Sequence, residues 1–144
     1  MAPQLSKRTI IGRQLLEGLV ETRLDEAKVL FSRKLYLGTV YLAGYAVECQ
    51  LKATICKTLG LVELPETFKT HDLELLLLHS GAHAKLSSDI GAAESFKKIC
   101  GFWNNKMDLR YKPPEFVCEK DANLFLSWID EPKVGIIPWL RRTI

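Results

Sequence analysis

The sequence predicts an all-α fold, an up-and-down antiparallel bundle of four to five helices, and three observations carry that expectation. Apolar residues recur every three or four positions over most of the chain, no segment alternates polar and apolar residues as a half-buried strand does, and Gly60, Pro65, Gly81, Pro113 and Pro114 fall at the breaks between the periodic stretches. At 144 residues the chain fits one domain, taken here as residues 1–144, and a fold of this size removes roughly two thirds of the unfolded surface from water.

The first helix is expected over about residues 5 to 32. Ile11, Leu15, Leu19, Leu24, Ala27, Leu30 and Phe31 form its apolar stripe, while Arg13, Glu17, Glu21, Arg23, Asp25 and Lys28 fall between them on a wet face. Arg33 and Lys34 suit the negative end of that helix and a tight connection, so the next helix runs back antiparallel. The second helix, Tyr36 to Leu59, is apolar nearly all round in its first half, as a central helix must be. Gly38, Ala43, Gly44, Ala46 and Ala53 remove bulk and let neighbours approach closely, and Gly60 stands where a C-terminal cap is expected.

Thr70 reads as the N-cap of a third helix over about 71 to 80, with Asp72 and Glu74 in its first turn. A loop is expected around Gly81 to Ser88. The fourth helical pattern runs from Ile90 through Ala93, Phe96, Ile99, Cys100 and Trp103 to Met107, and Pro113 and Pro114 should stop it. The fifth begins at Phe116 or Val117 and reaches about Ile129, after which Pro132 and Pro138 break the tail into shorter pieces.

Composition excludes several classes. The longest nearly apolar stretch, Leu35 to Val47, is too short to cross a hydrocarbon core of about 30 Å, and Met1 to Lys7 lacks a hydrophobic signal core, so no membrane association and a cytoplasmic location are expected. The net charge of +3 does not by itself indicate a nucleic-acid binder. Lys7, Arg8, Arg13, Arg141 and Arg142 would form a basic patch if the termini meet, although a solvated surface is the simpler reading. Cys49, Cys56, Cys100 and Cys118 include no CxxC pair, and on one helix Cys49 and Cys56 stand about 10 Å apart, beyond disulfide reach. They read as reduced packing residues. His79 and His83 have metal-ligand spacing only on a continuous helix, which Ser80 and Gly81 interrupt. No metal and no cofactor are expected.

Three separated stretches then carry a likeness: YLAGYAVECQLKA from Tyr41 to Ala53, THDL from Thr70 to Leu73, and LRYKP from Leu109 to Pro113, with RLDEAKVLFSRKLY upstream from Arg23 to Tyr36. In that order they resemble the HEPN family of helical domains over about residues 20–130. The resemblance implies an up-and-down bundle of four to five helices, frequent homodimers, and frequent pairing with small nucleotidyltransferases in bacterial toxin–antitoxin modules. Many HEPN proteins are metal-independent ribonucleases marked by an arginine followed, after four to six residues, by a histidine at a dimer cleft. In this chain Arg110 is followed by Tyr111, Lys112, two prolines, Glu115, Phe116, Val117 and Cys118, and no histidine lies downstream of His83.

That departure bears on chemistry. Cleaving RNA through its own 2′-OH needs a group that shifts a proton near neutral pH, which histidine does, whereas arginine only steadies the phosphate charge. The expectation is therefore a noncatalytic, dimeric binding module, with no catalytic residues, that engages a nucleotidyltransferase-like partner or binds a nucleotide or RNA. The alternative is a divergent ribonuclease toxin in which His71 or Tyr111 replaces the lost histidine.

The candidate interaction residues are Glu48 and Lys52, one turn apart on the central helix, with His71, Asp72, Arg110 and Tyr111 from the other matched stretches. Glu48 could pair with Arg110 or His71 and orient it toward a phosphate. The plainer reading is an i,i+4 pair of Glu48 with Lys52 and a helix-capping role for Arg110. Trp103 and Trp128 read as core, and Trp139 as either core or an exposed anchor for a partner. Ile136, Ile137, Trp139 and Leu140 are more apolar tail than one small bundle is expected to bury, which also points to a dimer.

Overall fold

In a computed structural model describing residues 8–103 and 108–144, the described residues form seven α-helices and no strand. They are α1 (Arg13–Ser32), α2 (Tyr36–Leu59), α3 (Leu73–His79), α4 (His83–Ser87), α5 (Ile90–Trp103), α6 (Glu119–Asp130) and α7 (Ile136–Thr143). Short 3₁₀ turns occupy Glu66–Phe68, Leu109–Tyr111 and Pro114–Phe116.

α1 and α2 form a hairpin joined by three residues and share the most extensive interface in the molecule. Lys34 closes the connection at φ 61°, a left-handed conformation unusual for a lysine. α2 packs against α1, α3, α5, α6 and α7, which explains why its apolar residues are not confined to one stripe. Val40, Ala43, Ala46, Val47, Leu51 and Ile55 are fully buried and meet Val20 and Ala27 of α1, Leu76 of α3, Ile99 of α5 and Phe125 and Ile129 of α6 in one core. Gly60 ends α2 at φ 62°, and its N–H returns to the carbonyl of Cys56.

Several boundaries differ from the sequence expectation. Residues 5–7 of the anticipated first helix lie outside the described residues, and 8–12 are not helical. Gly12 precedes α1 because the chain presses against the loop after α2: a Cβ there would lie 2.6 Å from the carbonyl oxygen of Val62, and Ile11 accepts the Leu64 N–H. Asp72, not Thr70, caps α3 by accepting the Leu75 N–H, while the Thr70 hydroxyl accepts the Asp72 N–H one step earlier. The expected loop at 81–88 contains α4, set off from α3 by Gly81 at φ 79°. Met107 lies outside the described residues, and Pro113–Pro114 follow a 3₁₀ turn instead of ending α5. α6 starts later than expected, at Glu119, with Cys118 and Asp121 exchanging cap contacts.

The tail departs furthest. Pro138 does not break it: the residue sits in the first turn of α7, where a missing N–H costs nothing. α7 folds back so that Ile136, Ile137, Trp139 and Leu140 are all buried within the same chain, and the Trp139 Nε1–H donates to Asp89 at 3.0 Å. Trp139 is therefore core and no partner anchor, and the tail supplies no uncovered apolar surface as a reason for dimerisation. Arg141 and Arg142 fasten it, the first to Gln50 and Glu21, the second to the carbonyls of Pro132 and Lys133. Arg13 and Arg141 do border one small hollow, and Arg8, Arg13 and Arg141 each pair with an acid, whereas Arg142 meets only backbone carbonyls. Lys7 lies outside the described residues.

Candidate functional site

Tyr41, Tyr45, Glu48 and Lys52 recur at intervals of four, three and four residues, which sets them in a row on one face of α2. Above this row the close approach of α2 and α5 brings in Trp103. Gly44 permits it, since a Cβ there would run into the indole ring, and the Trp103 Nε1–H donates to the Tyr41 carbonyl at 2.9 Å. The 3₁₀ turn Leu109–Tyr111 and the segment before α3 close the other sides. The result is a hollow of about 270 Å³ lined by Tyr41, Tyr45, His71, Trp103, Asp108, Leu109 and Arg110.

Its walls are aromatic. Tyr45 stands edge-on to Tyr41, His71 and Trp103, with ring centroids 5.2, 5.8 and 5.0 Å apart. The Tyr41 and Tyr45 hydroxyls share a hydrogen bond of 3.3 Å. Burial, then that bond and the nearby Glu48 carboxylate, push the Tyr45 hydroxyl up to about 12, with the Arg110 guanidinium pulling the other way. Tyr45 is thus a neutral hydrogen-bonding group and no base at neutral pH.

Behind the imidazole lies Glu48, whose side chain is only 6% exposed. One carboxylate oxygen accepts from His71 Nδ1 at 2.5 Å, and the other stands 3.4 Å from the Lys52 ammonium. The carboxylate fixes the imidazole while the ring, 60% exposed as a side chain, remains open to the hollow. On the opposite wall Arg110 is 60% exposed and donates from Nε to Asp108 at 3.2 Å. Hydrogen bonding to Asp108 raises the Arg110 pKa above its usual value, so its charge is permanent. Asp108 holds φ 39°, and its strained backbone turns the segment into the Arg110-bearing 3₁₀ turn.

Of the six residues singled out in the sequence, His71 and Arg110 share the hollow, and Glu48 with Lys52 supports His71 from beneath. Arg110 does not cap a helix. Asp72 is spent on capping α3 and borders a neighbouring groove between α3 and α5 instead. Tyr111 is 79% exposed at the rim, with the Arg110 guanidinium 5.5 Å from its ring. Sequence reasoning missed Tyr41, Tyr45, Trp103 and Asp108. The spacing of the two tyrosines with Glu48 and Lys52 was the available signal, whereas nothing local marks Trp103 as a wall of a cavity.

Three of the four cysteines are withdrawn from solvent, and Cys118 is exposed. Cys49, Cys56 and Cys100 are buried, and desolvation pushes the Cys49 thiol up to about 11 and that of Cys100 to about 12. Among the described residues no helix is long and apolar enough to cross a membrane, and no group of three metal-ligating side chains converges. No family model, no curated protein and no solved structure matches this chain.

Proposed function

We propose that this chain is a HEPN-like, noncatalytic binding module that holds a phosphate of a nucleotide or of single-stranded RNA in the hollow beside Arg110, works as a symmetric dimer, and associates with a nucleotidyltransferase-like partner. The observation that carries the ligand is the pairing, in one hollow, of a permanently charged guanidinium with aromatic walls. Arginine suits a phosphate through its fork of donors, and tyrosine and histidine rings offer surfaces to an unstacked base. The dimer and the nucleotidyltransferase-like partner rest on the resemblance and on the exposed Arg110–Tyr111 pair at the rim, which a second protein surface can cover. Fluorescence anisotropy with a labelled single-stranded RNA tests the ligand: the chain should bind it, and Arg110→Ala should abolish binding without loss of helicity. Equal binding by the variant removes Arg110 from the site.

One observation favours a second reading, a divergent metal-independent ribonuclease. His71, held by a buried carboxylate at Nδ1, lines the same hollow as Arg110, which reunites a proton-shifting group with a phosphate-steadying one from different parts of the chain. His71 would take the proton of a ribose 2′-OH while Arg110 met the charge developing on the phosphate. Incubating RNA with the chain, with Arg110→Ala and with His71→Gln separates the readings. Cleavage that depends on both residues establishes the enzyme; intact RNA with retained binding leaves the binding module.

A further inference from the structure

We infer that the hollow captures a phosphate together with a proton, which resides on His71 Nε2, so that its affinity for nucleotide phosphates falls as pH rises. The inference rests on the reading of this hollow as a phosphate site. Its origin is the hydrogen bond between His71 and Glu48. A carboxylate has no proton to donate, so the 2.5 Å contact to Glu48 Oε1 makes Nδ1 the donor. In the neutral imidazole the remaining nitrogen, Nε2, then carries a lone pair. Ring geometry places Nε2 on the edge opposite Glu48, and among the described residues nothing engages it.

A lone pair repels a phosphate oxygen. Only the imidazolium offers an N–H there, and its charge is then answered on one side by Glu48 and on the other by the bound anion. The other charged and titratable groups around the hollow are each engaged with a partner. From α2, Tyr41 and Tyr45 share one hydrogen bond and Lys52 sits against Glu48. From the turn, Asp108 is committed to Arg110, and beside His71 the Asp72 carboxylate caps α3. Arg110 holds a phosphate at any pH, and His71 adds a second donor when it takes up its proton. Binding and protonation thus assist each other reciprocally. The ribonuclease reading requires the opposite state, a bare Nε2, so the proton also distinguishes storage of a phosphate from attack on it.

The test is isothermal titration of thymidylyl-thymidine, a deoxydinucleotide whose single phosphodiester does not titrate near neutrality and which has no 2′-OH to be cleaved. Titrations between pH 6 and 8.5, each in two buffers of different ionisation enthalpy, count the protons taken up. Proton uptake on binding is expected, with affinity falling as pH rises, by at most about tenfold per pH unit for one proton. His71→Gln, at an exposed position, should bind more weakly at pH 6 and without pH dependence. Binding with no proton uptake, or uptake that persists in His71→Gln, overturns the inference and leaves the phosphate site standing. No binding at any pH overturns both.

Discussion

Replacing Gly44 with alanine should destabilise the protein, although alanine is the better helix former by about 1 kcal/mol. Gly44 is buried in the middle of α2, and the new methyl group would overlap Nε1, Cε2 and Cδ1 of Trp103. The indole, 7% exposed, would have to shift toward the hollow it lines and give up its 2.9 Å bond to the Tyr41 carbonyl. Overpacking of this kind costs about 1–3 kcal/mol, and the lost hydrogen bond adds about 1 kcal/mol. Set against the propensity gain, the net loss is about 1–3 kcal/mol, which lowers Tm by about 2–4 °C for each kcal/mol. The same change at Gly18 is the internal control, because that glycine is exposed in α1 and its Cβ would meet nothing within 4 Å. Gly18→Ala should therefore stabilise by about 1 kcal/mol. Urea unfolding followed by circular dichroism measures both. If Gly44→Ala is neutral or stabilising, α2 and α5 do not approach as described, and the hollow loses its Trp103 wall.

Trp139→Phe should cost about 1 kcal/mol through the lost bond to Asp89 and leave the association state unchanged, as compared by denaturation and light scattering. Ellman's reagent should titrate one thiol rapidly in the folded protein, the exposed Cys118, and all four in urea. Fast modification of more than one would contradict the burial of the other three. Self-association predicts a mass above 16.3 kDa in light scattering at high micromolar concentration, and a monomer there would count against the dimer. If the dimer forms around the rim, Arg110→Glu should weaken it, through loss of the guanidinium next to Tyr111.

The helices were legible wherever the chain pays for burial with a periodic stripe. α2 begins and ends where its pattern and Gly60 place it, and α5 begins at Ile90. The tail departs from the sequence expectation because Pro138 reads as a breaker, while its position in a first turn depends on Gly135 opening α7, which only the packing of α7 against α6 and α2 decides. α4 escaped notice because five residues with a single buried leucine carry no periodicity. At the site, Glu48, His71 and Arg110 stood out as charged groups in the matched stretches. That Glu48 selects His71 over Arg110 follows from tertiary placement, with Asp108 already occupying the guanidinium. The aromatic walls were hidden by chemistry: tyrosine and tryptophan on an apolar helix face read as core until a hollow is seen beside them.

The most direct test of the account is where a nucleotide phosphate binds. The indole N–H resonances of Trp103, Trp128 and Trp139, assigned by single Trp→Phe changes, report on three separate places in the fold. Titration with thymidylyl-thymidine at pH 6 should shift the Trp103 signal, whose ring lines the hollow, and leave that of Trp139, bonded to Asp89 in the core, in place. The Trp103 shift should vanish in Arg110→Ala. A ligand that moves Trp128 or Trp139 while Trp103 stays fixed, or that shifts Trp103 equally without Arg110, would contradict the assignment of this hollow as the binding site.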